Sequence, residues 1–442
     1  MCGKNQSLKS IINTGTIYPL DNALGVETLP YEVTCDVLLR ITREAVRSHS
    51  YKEAQLRLSE ILPFAPSSSY IWEISNFIGY IALLEREKRI EKLKQALETG
   101  NLSQIASLSY PDIKSPDVIY ACVDGSFLNT RPDELKAMQE NISNWKECKM
   151  AMIFSPEDLI MRSPGKNGEE RYTIGKSDYD AFIGSFDKFK FILLDLLIRN
   201  GVTRNTTIVL LSDGADWIYS IATELAKAIG AEIVPINDLF HTKQNIGAFC
   251  QYINERIKNS QKNPNHISDE EIKLFKEAEL LDANKIIELI ENGNIACALN
   301  ILEPFKDIKA SKSGVVNAYK YIDERKDRMD YPRYRKLGYY VGSGPGESAN
   351  KYFIQNRMKG PGMEWAIICG QRMLHLRGLD LAGKWDYLTG LIYDNRYKLL
   401  ELKKQFDCDE EIRRAKKRNA DEEYDAYIQS LVADLSGLRA DL

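Results

Sequence analysis

The feature that most restricts the fold is a change of sequence pattern at Asp117. Before this residue the apolar positions follow a helical period, and after it short runs rich in β-branched residues alternate with amphipathic stretches. Such runs predict strands at residues 118–123, 148–154, 206–211 and 232–236, with a further one near 171–174. The stretches between them predict helices at 177–199 and 217–229. Strands that come first and then alternate with helices predict an α/β sheet.

Helical patterns flank the predicted sheet. Three of them lie at residues 31–48, at 51–61 and after a serine cap at 67–69. Two short helices across a tight turn are either a helix-turn-helix, whose second helix enters the major groove of DNA, or an ordinary helical hairpin. Beyond the last strand, helices are predicted at 243–258, 269–281, 283–291 and 295–305, and charged helices at 384–406 and 409–436.

Composition limits the class of protein. A chain of 442 residues with 44% hydrophobic and 28% charged residues is typical of a globular protein with more than one domain. The sequence contains no apolar run of about 18 residues and no signal-peptide core at its start, so neither a membrane span nor a membrane partner is predicted. Eight cysteines without a C-x-x-C pair favour reduced thiols in the cytoplasm.

The net charge of −4 conceals a basic segment. Residues 331–377 hold eight Lys and Arg against two Glu, a local balance of +6. This segment surrounds a glycine-rich corner, Gly342-Ser343-Gly344-Pro345-Gly346, that is followed by Glu347 and a helical pattern. The corner fits a dinucleotide fingerprint poorly, because Glu347 stands where the third glycine is needed, and it lacks the Gly-Lys-Ser/Thr of a phosphate-binding loop. Glu347 is then either a metal ligand beside cationic side chains or a first-turn glutamate that suits the helix dipole.

Two carboxylates accompany this glutamate. Asp124 and Asp213 each stand in an Asp-Gly pair after a predicted strand, and the ends of adjacent strands meet at one edge of an open α/β sheet. Either aspartate alone is most often a turn residue. Three carboxylates in one pocket repel each other strongly, and divalent cations such as Mg²⁺ relieve that repulsion. A pair of such ions supports in-line displacement at phosphorus, which needs acidic ligands and no serine or cysteine nucleophile.

Taken together, these motifs resemble bacterial insertion-sequence transposases, DDE enzymes with an RNase H-like core, of the ISKra and ISLre type. The resemblance rests on CVDGSF with Asp124, LLSDGADWI with Asp213, the Asp238-Leu-Phe-His241 element, and VGSGPGESANKYFIQNRMKGPGMEW followed by MLHLR. It covers the chain from about Tyr31 to the residues around Trp385. It implies that Asp124, Asp213 and Glu347 are the catalytic triad and the metal ligands, and that Asp238 and His241 form the D-x-x-H element of Mutator-like relatives.

The resemblance also implies an organisation for the whole chain: an RNase H-like mixed sheet flanked by helices, with an all-helical insertion and an N-terminal helix-turn-helix-like domain. The expected segments are an irregular start at 1–30, a DNA-binding domain at 31–110, the first part of the catalytic core at 115–241, the insertion at 242–330, the second part of the core at 331–385 and charged helices at 386–442. The Cys2-Gly3 pair looks like the remnant of a zinc knuckle. Relatives tend to be longer at this end, so a truncated N-terminus with impaired end recognition is a further expectation.

The implied function is metal-dependent DNA strand cleavage and strand transfer with Mg²⁺ or Mn²⁺. The partners are terminal inverted repeats, target DNA and further copies of the chain, in a nucleoid-associated cytoplasmic setting. DNA-backbone contacts are expected from cationic side chains around the corner, namely Lys351, Arg357, Lys359, Arg335 and Lys336. Trp217 either stacks on a base or packs in the core, and His241 either assists proton transfer or caps locally. The alternative functions are a transposase-derived DNA-binding protein and an RNase H-like nuclease without strand transfer.

Overall fold

The computed structural model of the chain describes residues 29–101, 104–105, 107–110, 113–131, 144–162, 171–260, 273–275, 277–309, 314–342 and 344–440. The sheet strands are β1 (Val118–Asn129), β2 (Trp145–Phe154), β5 (Asp178–Ile183), β6 (Thr207–Ser212) and β7 (Glu232–Asn237), and a separate hairpin contains β3 (Leu159–Arg162) and β4 (Arg171–Ile174). The order of the five-stranded sheet is β5-β2-β1-β6-β7. Strand β2 is antiparallel to both neighbours, and β1, β6 and β7 run parallel to each other.

Helices cover the sheet, so the α/β class is confirmed. Those before and within the sheet region are α1 (Cys35–Arg47), α2 (Tyr51–Ile61), α3 (Ser68–Glu98), α4 (Phe186–Arg199) and α5 (Asp216–Ile229). The region after β7 contains α6 (Leu239–Ser260), α7 (Ala283–Glu291), α8 (Ile295–Leu302), α9 (Ala318–Asp323) and α10 (Tyr331–Lys336). The last group is α11 (Gly344–Ala349), a π-helix (Asn350–Gln355), α12 (Asn356–Met358), α13 (Ile367–Leu381), α14 (Trp385–Asp394) and α15 (Leu399–Ala440).

Strand β1 is longer than the sequence predicts. Its parallel pairing with β6 ends at Cys122 opposite Leu211, but its antiparallel pairing with β2 continues as far as Asn129 opposite Trp145. Asp124 therefore lies inside a strand and not in a turn after it, which corrects the expectation. Gly125 serves packing here, because a Cβ at this position would lie 2.6 Å from Oε1 of Glu147.

Residues 177–199 do not form one helix. They form β5 and then α4, with Gly184 at φ +146° between them. Asp178 and Asp180 are buried in β5, where charged residues are unexpected, because two arginines pair with them. Arg199 Nε lies 3.1 Å from Asp178 Oδ2, and Arg86 Nη1 lies 3.0 Å from Asp180 Oδ1. Burial raises the pKa of the Asp180 carboxyl, but Arg86 and His375 outweigh burial and lower it below its ordinary value.

The N-terminal helices pack on the rest of the chain. Helix α2 has the predicted bounds, whereas α3 is far longer than a short recognition helix and residues 74–83 are all buried. Arg43 and Arg47 of α1 bind Asp380 of α13, with Nε–Oδ distances of 2.9 and 2.8 Å. A helix that is buried around its whole circumference is a core helix.

The described residues of the region after β7 form helices joined by turns and loops, and no strand. The predicted helix 283–291 has the observed bounds, and the helices predicted at 243–258 and 295–305 fall within longer or slightly displaced helical segments. In the predicted helix 269–281 the described residues 273–275 and 277 are helical, whereas 278–281 are not, so this helix ends earlier than predicted. Residues 269–272 and 276, and the Cys2-Gly3 pair, lie outside the described residues. The boundary between the C-terminal helices differs from the predicted one at residues 407–408. Helix α14 ends at Asp394, and α15 continues through residues 407–408. The ion pair of Lys403 with Asp407, at i and i+4, suits an uninterrupted helix.

Candidate active site

Asp124 is held in place at the centre of the sheet. Its Oδ2 accepts a hydrogen bond of 2.6 Å from Asn350 Nδ2, and its Oδ1 accepts one of 2.7 Å from the backbone N–H of Gly125. Burial raises the pKa of the Asp124 carboxyl above its ordinary value, and Asp213 raises it further. The two hydrogen bonds oppose this effect, because they stabilise the ionised form.

Asp213 lies beside Asp124 at the same level of the sheet. The last paired residues of the two parallel strands are Cys122 and Leu211, and each aspartate follows two residues later. Asp213 is exposed, and its Oδ1 accepts a hydrogen bond of 3.1 Å from the N–H of Ala215. Gly214 has φ +93°, and a Cβ there would lie 2.4 Å from Asn237 Oδ1. The Asp-Gly pair thus turns the chain sharply from β6 towards α5 at this point, as expected.

Glu347 lies in the first turn of α11. This helix packs closely on β1, since a Cβ on Gly346 would lie 3.6 Å from Cβ of Cys122. Asn350, one turn after Glu347, begins the π-helix and contacts Asp124. π-Helical turns inside helices occur frequently at functional sites. The glycines therefore serve to bring the helix that carries Glu347 against the strand that carries Asp124.

Asp238 and His241 form a fixed pair at the start of α6. Asp238 is fully buried, and its Oδ2 lies 2.6 Å from Nδ1 of His241 and accepts a hydrogen bond of 2.9 Å from the His241 backbone N–H. The N–H of Asp238 donates to the carbonyl oxygen of Ser212, at the end of β6. In a neutral imidazole with its proton on Nδ1, Nε2 is the acceptor. His241 is thereby anchored locally and is also oriented by a buried carboxylate.

A small cavity joins these residues. It is lined by Asp124, Asp213, His241 and Gly346 together with parts of β1 and β6, and its volume is about 20 Å³. That is about the space of one water molecule or one ion. Among the side chains that the structure describes, which do not include Glu347, no group of three His, Cys, Asp or Glu is close enough together to hold a metal ion. Two aspartates and a histidine nevertheless face one small space.

The cationic side chains predicted to contact DNA divide into two groups. Lys351, Lys359, Arg335 and Lys336 are exposed, and Arg335 Nη2 lies 3.3 Å from Glu291 Oε1. Arg357 is 1% exposed, which contradicts its predicted contact with DNA. Its Nε donates to the carbonyl oxygen of Ala45, and its guanidinium lies 4.6 Å from the ring centre of Tyr51. Arg357 therefore joins the N-terminal helices to the core.

Trp217 is partly buried. Its ring packs on Phe189 and Phe186, with centroid distances of 5.9 and 6.5 Å, and Lys149 Nζ lies 5.3 Å from its centre. These contacts make it largely a core residue, in agreement with the second of the two interpretations, core packing.

Asn350 is the site residue that the motifs do not include. It stands three positions after Glu347, a spacing that places two residues on the same face of a helix. That spacing was available from the sequence as a signal, but only the fold brings Asn350 to Asp124.

No protein-family profile matches the chain, and no curated protein sequence matches it. Among the described residues, no helix is both long enough and apolar enough to cross a membrane. The arrangement of the residues themselves therefore carries the functional argument.

Proposed function

We propose that the protein is a metal-dependent phosphoryl transferase acting on DNA, specifically a DDE transposase that cleaves strands and transfers them. One observation carries the proposal. Asp124 and Asp213 lie level on adjoining parallel strands beside one cavity, and Gly346 packs the helix that contains Glu347 against the same strand. These two features support the site that the sequence pattern predicts, in which Glu347 is the third carboxylate.

The residues present fit a divalent cation. A buried carboxylate whose pKa is raised both by burial and by a neighbouring aspartate is destabilised in its ionised form, and a divalent cation relieves both effects. Asp124, Asp213 and Glu347 would hold Mg²⁺ or Mn²⁺. When bound, such ions activate an attacking hydroxyl and stabilise the leaving oxygen in displacement at phosphorus.

Residues of the chain itself orient the Asp124 carboxylate and transfer protons. Asn350 and the Gly125 N–H fix both oxygens of Asp124, so that its carboxylate needs little reorganisation when a ligand binds. Asp238 fixes the ring of His241, whose Nε2 then serves proton transfer to or from the reacting oxygen. Lys351 and Lys359, exposed on and after the π-helix, attract the phosphate backbone.

The sheet supports the RNase H-like part of the proposal. Its order, with the second strand antiparallel to the other four, is that of RNase H-like sheets. Helix α3 is not proposed as a DNA-reading helix, because its central turns are buried on all sides. Terminal inverted repeats, target DNA and a homo-oligomer on paired ends are the partners proposed with this activity.

The test is cleavage of element-end DNA in the presence of Mg²⁺ or Mn²⁺ by the wild type, Asp124→Asn, Asp213→Asn and Glu347→Gln. Metal-dependent cleavage followed by joining to target DNA, lost in each variant while DNA binding persists, is the expected result. Cleavage without joining would make the protein a nuclease. DNA binding without cleavage in the wild type would make it a DNA-binding protein and refute the enzymatic proposal.

A further inference from the structure

The turn that carries Asp213 lies beyond the hydrogen bonds of the sheet. The parallel pairing of β6 with β1 ends at Leu211, and its pairing with β7 ends at Ser212 opposite Asn237. Asp213 and Gly214 follow directly and lead into α5. Gly214 is buried, and a buried carbonyl oxygen without a hydrogen bond is costly. The hydrogen bonds that hold this turn therefore have to come from outside the strand ladders.

Two side chains from the region after β7 supply these hydrogen bonds. The hydroxyl of Tyr321, in α9, donates to the carbonyl oxygen of Asp213 at 3.3 Å. Arg325 follows this helix, and its Nε donates to the carbonyl oxygen of Gly214 at 3.1 Å. The guanidinium of Arg325 lies 4.7 Å from the ring centre of Tyr321, so the two donors also stabilise each other. Two consecutive carbonyls of the turn are thus bound by one short segment, while the Asp213 side chain lines the cavity that it shares with Asp124.

Tyr321 is itself oriented by a buried network of hydrogen bonds. It is buried, and its hydroxyl accepts a hydrogen bond of 2.9 Å from Asn237 Nδ2. Because the hydroxyl oxygen is the acceptor in that contact, its own proton is left for the carbonyl oxygen of Asp213. The same Nδ2 donates at 2.8 Å to Thr242 Oγ1, which donates at 2.7 Å to the carbonyl oxygen of Asp238. Asn237 thus links the Asp213 turn to the start of α6.

We propose that Tyr321 and Arg325 are positioning residues that hold Asp213 where the divalent-cation site requires its carboxylate. This inference rests on the proposed function and adds to it two residues that act through the backbone of a ligand. A carboxylate on a mobile turn would have to be ordered when the cation binds, whereas this turn is ordered beforehand. The helices after β7 are therefore needed for a complete active site.

The first experiment measures Mn²⁺ affinity of the full chain by isothermal titration calorimetry. Tyr321→Phe keeps the ring and removes the hydroxyl. The matched control is Tyr334→Phe, because Tyr334 is also buried and its hydroxyl donates to the carbonyl oxygen of Pro235 in β7 at 3.5 Å, away from the turn. Tyr321→Phe should bind Mn²⁺ roughly 10-fold more weakly than the wild type, and Tyr334→Phe should bind it equally well. Arg325→Lys, which keeps the positive charge and lacks Nε, should change the affinity in the same direction as Tyr321→Phe.

The second experiment measures hydrogen–deuterium exchange of the peptide 211–218 in the absence of metal. Exchange should be faster in Tyr321→Phe than in the wild type and in Tyr334→Phe, because the turn opens locally more often without the hydroxyl. A purely structural role of Tyr321 would lower the melting temperature and leave the Mn²⁺ affinity of the folded protein unchanged.

The two readouts separate this inference from the proposed function. Unchanged exchange in Tyr321→Phe overturns the inference, and so does faster exchange with wild-type Mn²⁺ affinity. A wild type that binds no Mn²⁺ would refute the proposed cation site, and faster exchange in Tyr321→Phe would then still support Tyr321 as the residue that holds the Asp213 turn.

Discussion

Replacing Asn350 by alanine tests how Asp124 is kept ionised. The hydrogen bond of 2.6 Å from Asn350 Nδ2 to Asp124 Oδ2 joins an amide to a carboxylate in a largely buried position. A hydrogen bond to a charged group contributes about 1.5–3 kcal/mol. Without it, the pKa of Asp124 rises further above its ordinary value, because burial and Asp213 already raise it. A smaller fraction of the carboxylate is then available to a cation at any given pH.

The expected result is a loss of DNA cleavage that depends on pH. Since 1.4 kcal/mol corresponds to a factor of ten, the rate of Asn350→Ala should fall by roughly 10- to 150-fold at acidic pH. The loss should shrink as the pH rises, because Asp124 ionises in the variant as well. The assay is the cleavage rate with Mn²⁺ over a series of pH values, with circular dichroism to verify folding.

The matched control is Asn76→Ala. Asn76 is as deeply buried as Asn350, and its Nδ2 donates to the carbonyl oxygen of Trp72 within α3. This variant should lose stability without any change in the midpoint of the pH profile. If Asn350→Ala and Asn76→Ala both keep the wild-type midpoint, the account of Asp124 is refuted.

Three further predictions concern single side chains. Asp124→Asn should stabilise the protein at neutral pH. Because the pKa of Asp124 is raised in the folded protein, its contribution to stability is present below the unfolded-state pKa and is lost as the pH rises through the folded-state pKa. Thermal melts should show that the gain from Asp124→Asn at neutral pH disappears in acid. Asp180→Ala should cost about 3–5 kcal/mol in urea unfolding because it leaves Arg86 without its buried partner, whereas Asp187→Ala, at an exposed position, should change stability by less than about 0.5 kcal/mol. Lys351→Ala should weaken DNA binding and reduce the slope of log K against log salt by about 1, and an unchanged slope would exclude a phosphate contact.

The local elements with strong patterns were predictable from the sequence. Helix α2 and helix α7 have the predicted bounds, because a serine or aspartate cap and a helical apolar period coincide there. The cores of β1, β2, β6 and β7 were likewise visible as apolar runs. The Asp213 turn was predictable as well, because an Asp-Gly pair after a buried strand specifies it.

The structure differs from the sequence prediction where contacts between residues far apart in the sequence determine the local arrangement. Strand β5 has aspartates at buried positions, and only Arg86 and Arg199 make that arrangement stable. Arg357 is typical of a surface cation in sequence, yet Ala45 and Tyr51, some 300 positions away, enclose it. Asn350 gains its role from a contact with Asp124 across 226 positions. Such long-range pairings cannot be predicted from local sequence patterns.

The central claim is that Asp124, Asp213 and Glu347 form one divalent-cation site. Isothermal titration calorimetry, with Mn²⁺ titrated into the metal-free protein, tests this claim most directly. The account predicts that the wild type binds Mn²⁺ and that Asp124→Asn, Asp213→Asn and Glu347→Gln each bind it at least about 10-fold more weakly, while Asp187→Asn binds it normally. Equal affinity in the wild type and Glu347→Gln would contradict the claim and leave Glu347 as a residue that stabilises the start of its helix.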